Sequence, residues 1–184
     1  MLDVVFQRIW SDLAIPVGAE RNPFRLMQLA TIGPQGWPKC RTVVLRGVDQ
    51  NAGTLCFYAD QRSALCAQLL ADERVALTAL SPCGVMQVRI EGAANLVDDL
   101  AQRQHCWQQA RDRTQALFRH GGIPGQIIDT PEQACEHLQE GFKHFAIIRV
   151  QMKSLEWLDL SRTIHQRARF VRQQAHWQSS WCAP

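Results

Sequence analysis

The sequence predicts one α+β domain over residues 1–184, built on a barrel-like and mainly antiparallel β-sheet. Short apolar, β-rich runs follow one another with turn formers between them, which is typical of an antiparallel meander. Helical patterns interrupt these runs, and no linker-like stretch divides the chain. With 184 residues, the chain is long enough for one substantial core and short for two.

Most of the predicted strands fall in the first half of the chain. Apolar residues at helical spacing predict a helix over 2–13. The predicted strands are 26–32, 39–48, 54–58, 74–80 and 85–97, and a short helix is predicted over 63–70. Turn formers fill 33–38, 49–53 and 81–84. Gly92, inside the fifth strand, indicates a bulge or a close backbone approach.

The second half of the chain begins with helical patterns and ends in strands. Two acidic residues start a predicted helix over 98–118, and the glycine-rich segment 121–125 ends it. A further helix is predicted over 131–142. The predicted strands that follow are 145–152, 155–158 and the C-terminal stretch from Ile164 onward.

Composition argues against several classes of protein. A net charge of +3 with mostly dispersed basic residues does not resemble a nucleic-acid-binding protein. No apolar run approaches the ~18 residues that span a membrane, and no signal peptide is apparent. The seven cysteines are scattered without a C-x-x-C pair, and no histidine–cysteine spacing fits a compact metal site. We therefore expect a cytoplasmic protein that binds no nucleic acid, membrane or metal.

Two arginine-bearing segments form the most informative motif. Arg41 and Arg46 open and close an apolar, β-rich run, and the next such run ends in a turn that holds Arg62 and Ser63. Guanidinium groups are planar, bidentate donors, and a helix N-terminus adds N–H groups and a favourable dipole. The motif predicts a phosphate site, with the apolar run as a wall for a flat ring. Half-buried strands with solvated ends are the alternative interpretation.

Further motifs follow in a specific order. The strand from Arg41 has the pattern R-x-V-x-L-[KR], Tyr58 precedes Ser63 by five residues, and 87–92 has the sequence QVRIEG. Near the C-terminus come EWLDL at 156–160, HQR at 165–167 and the terminal segment 177–184. From about Arg25 to Pro184, the chain resembles the pyridoxamine 5'-phosphate oxidase-like flavoproteins. Their fold is an FMN-binding split β-barrel with flanking helices, and the motifs are most similar to a less characterised branch of that family.

The resemblance implies a bound FMN cofactor and a homodimer, with residues of both subunits at each cofactor. It assigns Arg41, Arg62 and Ser63 to the phosphate end, and Gln87 to the polar edge of the isoalloxazine ring. We assign Arg46 and His165 to a small-molecule substrate. The full set of implied cofactor contacts is Arg41, Thr42, Val43, Val44, Tyr58, Ala59, Arg62, Ser63, Gln87, Trp157 and Arg167.

Each of these residues also has a plainer interpretation. The alternatives are an ordinary polar strand residue for Gln87, a core aromatic for Trp157, and a surface histidine on an edge strand for His165. Arg46 has two uses in the pattern, a cofactor contact or an anion donor facing the substrate. We favour the second, because a cation there would attract a charged substrate.

The chain also departs from the family pattern. Leu65 stands where the family commonly has a lysine for the phosphate, and Thr163 stands where authentic pyridoxamine phosphate oxidases have an arginine. Their phosphate-binding set for the substrate has no convincing counterpart in 107–125. We therefore expect FMN binding but not pyridoxamine phosphate as the substrate.

The sequence leaves three functions open. The first is an FMN-dependent oxidoreductase acting on an unidentified small molecule, for which no catalytic side chain is assigned. The second is a non-catalytic flavin-binding or sensing protein. The third is a haem-interacting relative of the split barrel with a histidine as axial ligand.

Overall fold

The computed structural model describes residues 1–15, 22–134, 140–174 and 176–184. Its α-helices are α1 (Leu2–Ala14), α2 (Ala64–Ala71), α3 (Leu100–Gln109) and α4 (Asp112–Ala116). Its strands are β1 (Leu26–Ile32), β2 (Pro38–Asp49), β3 (Thr54–Asp60), β4 (Arg74–Leu80), β5 (Met86–Leu96), β6 (Phe145–Asp159), β7 (Gln166–Gln173) and β8 (His176–Cys182). No helix within these ranges is long and apolar enough to cross a bilayer.

The eight strands form one antiparallel sheet in the order β3-β2-β1-β4-β5-β6-β7-β8. An additional pairing between β3 and β6 closes six of them into a barrel, which β7 and β8 extend. This closed antiparallel barrel with flanking helices confirms the predicted α+β split-barrel fold class.

Strand β6 connects the barrel to its extension. Its first half pairs with β3, its second half pairs with β7, and β5 runs beside both halves. The β5–β6 register shifts at Gly92, where a Cβ atom would clash with the Gln151 carbonyl oxygen. The predicted bulge and close approach are therefore both present. The bulge lies where β6 changes its partner from β3 to β7.

The barrel core follows the two-residue alternation of the strands. Leu29, Leu45, Phe57 and Ile90 point inward with almost no exposed surface. One face of α1, including Trp10, packs into the same core. A second, smaller core lies on the outer side of β3 and β6, where Val97, Phe118, Phe145 and Ile147 are buried with partly buried residues of α3.

The prediction of one helix over 98–118 is wrong. The chain leaves helical geometry at Ala110 and Arg111, between α3 and α4. In a straight helix Trp107 and Phe118 would lie roughly 16 Å apart along the axis. Both rings instead pack on Phe145, with centroid distances of 5.3 and 5.1 Å. The second core thus requires the break.

Other boundaries also differ from those predicted. Single turns of 3₁₀ helix at Pro131–Ala134 and Gly141–His144 replace the helix predicted over 131–142, of which residues 135–139 lie outside the described part of the chain. The strands predicted at 145–152 and 155–158 are one strand, β6. Ser154 lies within the ladder, paired with both Glu91 and Val171, so the chain does not turn there.

Candidate functional site

The Arg41 side chain is held beside α2. Its Nη1 donates to Thr31 Oγ1 at 2.5 Å, and its Nη2 donates to Gln68 Oε1 at 2.7 Å. Thr31 Oγ1 in turn donates to Gln68 Oε1 at 2.7 Å. Burial lowers the Arg41 pKa from its ordinary value, but a guanidinium remains charged at any physiological pH. Arg41 is therefore a fixed cation next to the helix that begins at Ser63.

Ser63 is the N-cap residue of α2, as the sequence predicted. Its hydroxyl makes no capping bond and lies 3.7 Å from Cys66 Sγ. The first backbone bonds of the helix run from Cys66 and Ala67 back to the Ser63 carbonyl oxygen. The N–H groups of Ala64 and Leu65 precede these bonds, so this helix start has the donors that an anion needs.

Arg62 is not available in the way the sequence suggested. Its Nε donates to Asp60 Oδ1 at 3.0 Å, and its Nη2 donates to Asp60 Oδ2 at 2.7 Å. The remaining contacts go to the carbonyl oxygens of His120 at 3.0 Å and Gly121 at 3.2 Å. The side chains of Asp60 and Arg62 are only 8% and 18% exposed. Arg62 thus ties the start of α2 to the 120–121 segment, and its assignment to the cofactor phosphate stays a prediction.

Arg46 differs from Arg41 and Arg62 because its side chain has no hydrogen-bond acceptor among the described residues. It is half-buried and stacks over the Tyr58 ring, 5.3 Å from the centroid, and its buried Nε has no hydrogen-bond partner. Burial is the main cause that lowers the Arg46 pKa, and the nearby cations Arg25 and Arg111 lower it further. Within the described ranges it makes no ion pair. An unpaired, half-buried donor beside two other cations fits an anionic ligand.

Tyr58 lies between Arg46 and the second core. Burial, with a contact from Cys106, raises its pKa to about 12, so its hydroxyl is neutral and can donate a hydrogen bond at physiological pH. Its ring packs edge-on against Phe145 at 4.7 Å between centroids. This packing fixes the ring on which the Arg46 guanidinium stacks.

The strand residues assigned to the cofactor divide between the two faces of the barrel wall. Thr42 is exposed and Val44 half-buried on the outer face of β2. Val43 points into the barrel core and is 7% exposed. Ala59, on β3, is half-buried against the same core. Val43 can therefore reach a ligand only through its backbone.

Gln87, Trp157 and Arg167 meet at a second place, on β5, β6 and β7. The register pairs Gln87 with Leu158, and Leu158 with Arg167. The residues line a small cleft of about 50 Å³, together with Arg89, Glu156 and Leu158. Trp157 is 5% exposed, so most of its ring belongs to the core. The cleft is the polar surface that the family pattern assigned to the flavin ring.

Glu156 organises the charges of this cleft. Its carboxylate accepts a bond from Arg167 Nη2 at 2.6 Å, and it lies 3.7 Å from Arg89 and 3.8 Å from Arg169. Burial by itself would raise the Glu156 pKa, but the Arg167 bond and the other two arginines lower it overall. Three cations around one carboxylate leave this surface positive.

The two clusters lie far apart on one chain. Tyr58 pairs with Ile147, and Trp157 lies ten residues further along the same strand, β6. At about 3.3 Å per residue of a straight strand, Tyr58 and Trp157 are at most roughly 30 Å apart. We call the residues around β2, β3 and α2 the α2 half-site, and those on β5, β6 and β7 the β6 half-site. Each half-site contains residues that the sequence assigned to one cofactor, and on a single chain the two half-sites are separate.

The remaining predicted positions lie at the edges of these half-sites. His165 is exposed in the 160–165 connection between β6 and β7, where Thr163 is also exposed. Leu65 is partly buried and packs against the barrel core. A lysine side chain at that position would therefore point toward the core.

Sequence reasoning missed Arg25, Arg111 and Glu156. Arg25 precedes β1, and its carbonyl oxygen accepts a bond from the Leu45 N–H, so it reaches Arg46 only through strand pairing. Arg111 approaches because the helix breaks there. The sequence did contain a signal for Glu156. It alternates with buried residues on its strand, so it lies on the exposed face, where side chains contact those of the neighbouring strands. Its cross-strand partners are Arg89 and Arg169.

Comparisons with known proteins agree with this geometry. A family model described as pyridoxamine 5'-phosphate oxidase matches residues 18–156. A Pseudomonas paraeruginosa protein named pyridoxine/pyridoxamine 5'-phosphate oxidase is 28% identical over 191 residues, which cover 96% of this chain and 86% of the relative.

Solved structures give the same result. A pyridoxamine 5'-phosphate oxidase-related, FMN binding protein from Nostoc punctiforme has a TM-score of 0.76 and 26% identity, over 87% of this chain and 88% of that one. PhzG from Burkholderia lata, solved with tetrahydrophenazine-1-carboxylic acid, has a TM-score of 0.75 and 17% identity, over 99% and 92%. The second likeness shows the fold alone. With a family model matched over most of its length, this chain belongs to the pyridoxamine 5'-phosphate oxidase family.

Proposed function

We propose that this protein is an FMN-dependent oxidoreductase that acts on a small anionic molecule, and that it works as a homodimer. The observation that carries the proposal is the division of the site into two half-sites, since Tyr58 pairs with a β6 residue ten positions before Trp157. Each half-site contains residues that the family pattern assigns to one cofactor. A two-fold dimer can bring the α2 half-site of one subunit to the β6 half-site of the other.

The residues present fit FMN. In the α2 half-site, the fixed Arg41 cation and the start of α2 suit a phosphate. In the β6 half-site, Gln87 offers an amide and Arg167 offers donors held in place by Glu156. These groups suit the polar edge of a flat ring. The named FMN-binding relative from Nostoc punctiforme supports this assignment.

Bound FMN would supply the redox chemistry, and the chain would supply binding, orientation and electrostatics. Arg46, with its unpaired Nε, would hold the anionic group of a substrate, and Arg25 and Arg111 would add attraction. Tyr58 would keep the Arg46 guanidinium in place. His165 is exposed in the connection that follows β6. We propose that it binds the substrate held by the partner subunit, so this role requires the homodimer.

FMN titration tests the cofactor. We expect the purified protein to bind FMN saturably, with quenching of flavin fluorescence and a yellow, flavin-type absorbance spectrum. A protein that takes up no FMN on titration would contradict the proposal. A Soret band on haem titration, lost with a single histidine substitution, would support the haem-binding alternative instead.

Turnover tests the substrate. Curated relatives are named for pyridoxine and pyridoxamine 5'-phosphate, but Thr163 removes one expected arginine here. Each charge-assisted contact typically contributes about 1.5–3 kcal/mol, so we expect little oxidation of either compound by the FMN-loaded protein. Oxygen consumption at a dedicated enzyme's rate, roughly 1 s⁻¹ or more, would show that the chain does not need this arginine to bind the substrate phosphate.

A further inference from the structure

A separate cleft lies between α1 and the strands that extend the barrel. Its volume is about 300 Å³, and it is open at the surface. This volume is at the lower end of the range for small-molecule sites. The lining residues are Met1, Val4, Val5, Arg8, Trp157, Arg162, Gln166 and Trp181.

The walls of the cleft are aromatic and aliphatic. Trp181 on β8 remains 43% exposed, and Val4 on α1 is 71% exposed, although both are large apolar side chains. Trp157 contributes the edge of a ring that is otherwise in the core. Aromatic faces with an aliphatic helix surface favour a flat aromatic body, which buries apolar area on both sides.

Among the described residues, the charged side chains that line this cleft are those of Arg8 and Arg162, both cations. Arg8 is 4.0 Å from the Asp12 carboxylate and otherwise makes only a 3.9 Å contact with Met86 Sδ. Arg162 makes no hydrogen bond or ion pair with the residues that the structure describes. The nearby Asp159 carboxylate does not line the cleft; it is 2% exposed and accepts a bond from the Ser161 N–H at 2.8 Å. Burial by itself would raise the Asp159 pKa, but the bond from Ser161 and the charges of Arg162 and Arg8 lower it overall, so this carboxylate balances part of the charge of the two arginines.

We propose that this cleft is a second binding site, and that its ligand is a flat aromatic carboxylate of one or two rings. The ring lies against Trp181 and the apolar face of α1, and the carboxylate lies between Arg8 and Arg162. Arginine suits this partner because its planar donors match a carboxylate in bidentate geometry. The site does not depend on the proposed function, since neither arginine belongs to a half-site for FMN.

Trp157 lines both this cleft and the β6 half-site. The two ligands therefore lie on either side of one residue. Binding of the aromatic carboxylate must persist when FMN is present, because Trp157 is held in the core and has no need to move for either ligand.

The test uses a matched pair of probes, 1-naphthoate and the neutral 1-naphthalenemethanol. Binding to the full chain is measured by calorimetry and tryptophan fluorescence, with and without FMN. We expect saturable binding of 1-naphthoate, at least fivefold tighter than the alcohol. Arg162→Gln and Arg8→Gln should each remove most of this preference, and Trp181→Ala should weaken both probes. Arg113→Gln, on α4 and outside the cleft, should change neither.

Three outcomes would overturn the proposal. The first is no saturable binding of 1-naphthoate up to millimolar concentration by a folded protein. The second is equal affinity for the two probes. The third is an unchanged preference for the carboxylate in the Arg8 and Arg162 variants. Failure of FMN binding, by contrast, would leave this test intact and would count only against the proposed function.

Discussion

The two half-sites hold their arginines in opposite ways. In the β6 half-site, Arg89, Arg167 and Arg169 share the Glu156 carboxylate, so the cations are oriented before any ligand arrives. In the α2 half-site, Arg46 has no carboxylate and leaves a buried donor unpaired. The first arrangement favours positioning of a neutral or weakly polar ring. The second favours binding of a fully charged anion, because pairing with an anion offsets the unfavourable desolvation free energy of the buried cation.

A third arrangement lies beside the α2 half-site and gives the largest expected effect. Asp60–Arg62 and Asp72–Arg74 have the same spacing and the same Nε–Oδ1 bond, but only the first is buried. We expect Arg62→Ala to lower the free energy of unfolding by about 3 kcal/mol, because the Asp60 carboxylate loses the paired guanidinium and keeps only the bond from the backbone N–H of residue 62. Arg74→Ala is the matched control and should change stability little. Urea denaturation measures both, and equal losses would show that burial does not distinguish the two pairs.

The second-largest expected effect is on FMN affinity in the α2 half-site, without a loss of the fold. Arg41→Ala should weaken FMN binding by about 1.5–3 kcal/mol, the contribution of a charge-assisted hydrogen bond. The fold should survive, because Thr31 and Gln68 keep their own bond. Fluorescence titration measures the FMN dissociation constant. An unchanged constant in a folded variant would remove Arg41 from the site.

Lysine substitutions at Leu65 and Ala64 test whether the start of α2 faces the FMN phosphate, since the family commonly has a lysine at the Leu65 position. Because Leu65 packs against the core, Leu65→Lys should not tighten FMN and should lower the free energy of unfolding by about 1–2 kcal/mol. Ala64, one residue earlier, is exposed at the first turn of α2. Ala64→Lys should tighten FMN several-fold at low ionic strength. Tighter binding by the Leu65 variant would show that this side chain can turn toward the phosphate.

The smallest effect is a pH dependence in the β6 half-site. The folded Glu156 pKa lies below its ordinary value, so the stability that this carboxylate contributes is complete above the unfolded pKa, about 4.3. That contribution is lost as the pH falls through the folded pKa. The wild type should therefore exceed Glu156→Gln in unfolding free energy near pH 7, and the difference should shrink towards pH 3. A difference that stays constant would mean that Glu156 is not ionised in its arginine cluster.

Local patterns were enough to predict most of the fold. The strand β4 and the helix α2 lie within one residue of their predicted bounds, since two-residue and helical spacing decide both. The helix over 98–118 failed because its break depends on two aromatic rings meeting Phe145, a contact 27 or more residues away in sequence. Spacing within a segment does not contain that information.

The candidate site shows the same limit. Residue types predicted an anion site around Arg41 and Ser63, but only pairing across the sheet reveals which arginines are already satisfied. Arg62 is engaged by Asp60, two residues away, and by carbonyl oxygens nearly sixty residues away. Arg46 gains Arg25 and Arg111 as neighbours through the strand register and the helix break. The sequence could thus predict the chemistry of the site more readily than its charge balance.

The most direct test of the account is whether the two half-sites belong to different subunits. Arg41→Ala and Arg167→Ala, one in each half-site, should both weaken FMN binding as separate homodimers. Co-expressed with different tags, they form mixed dimers in which one site carries both changes and the other carries none. We predict that about a quarter of all sites regain wild-type FMN affinity in a random mixture. No recovery in purified mixed dimers, or a protein that binds FMN as a monomer, would contradict the shared site.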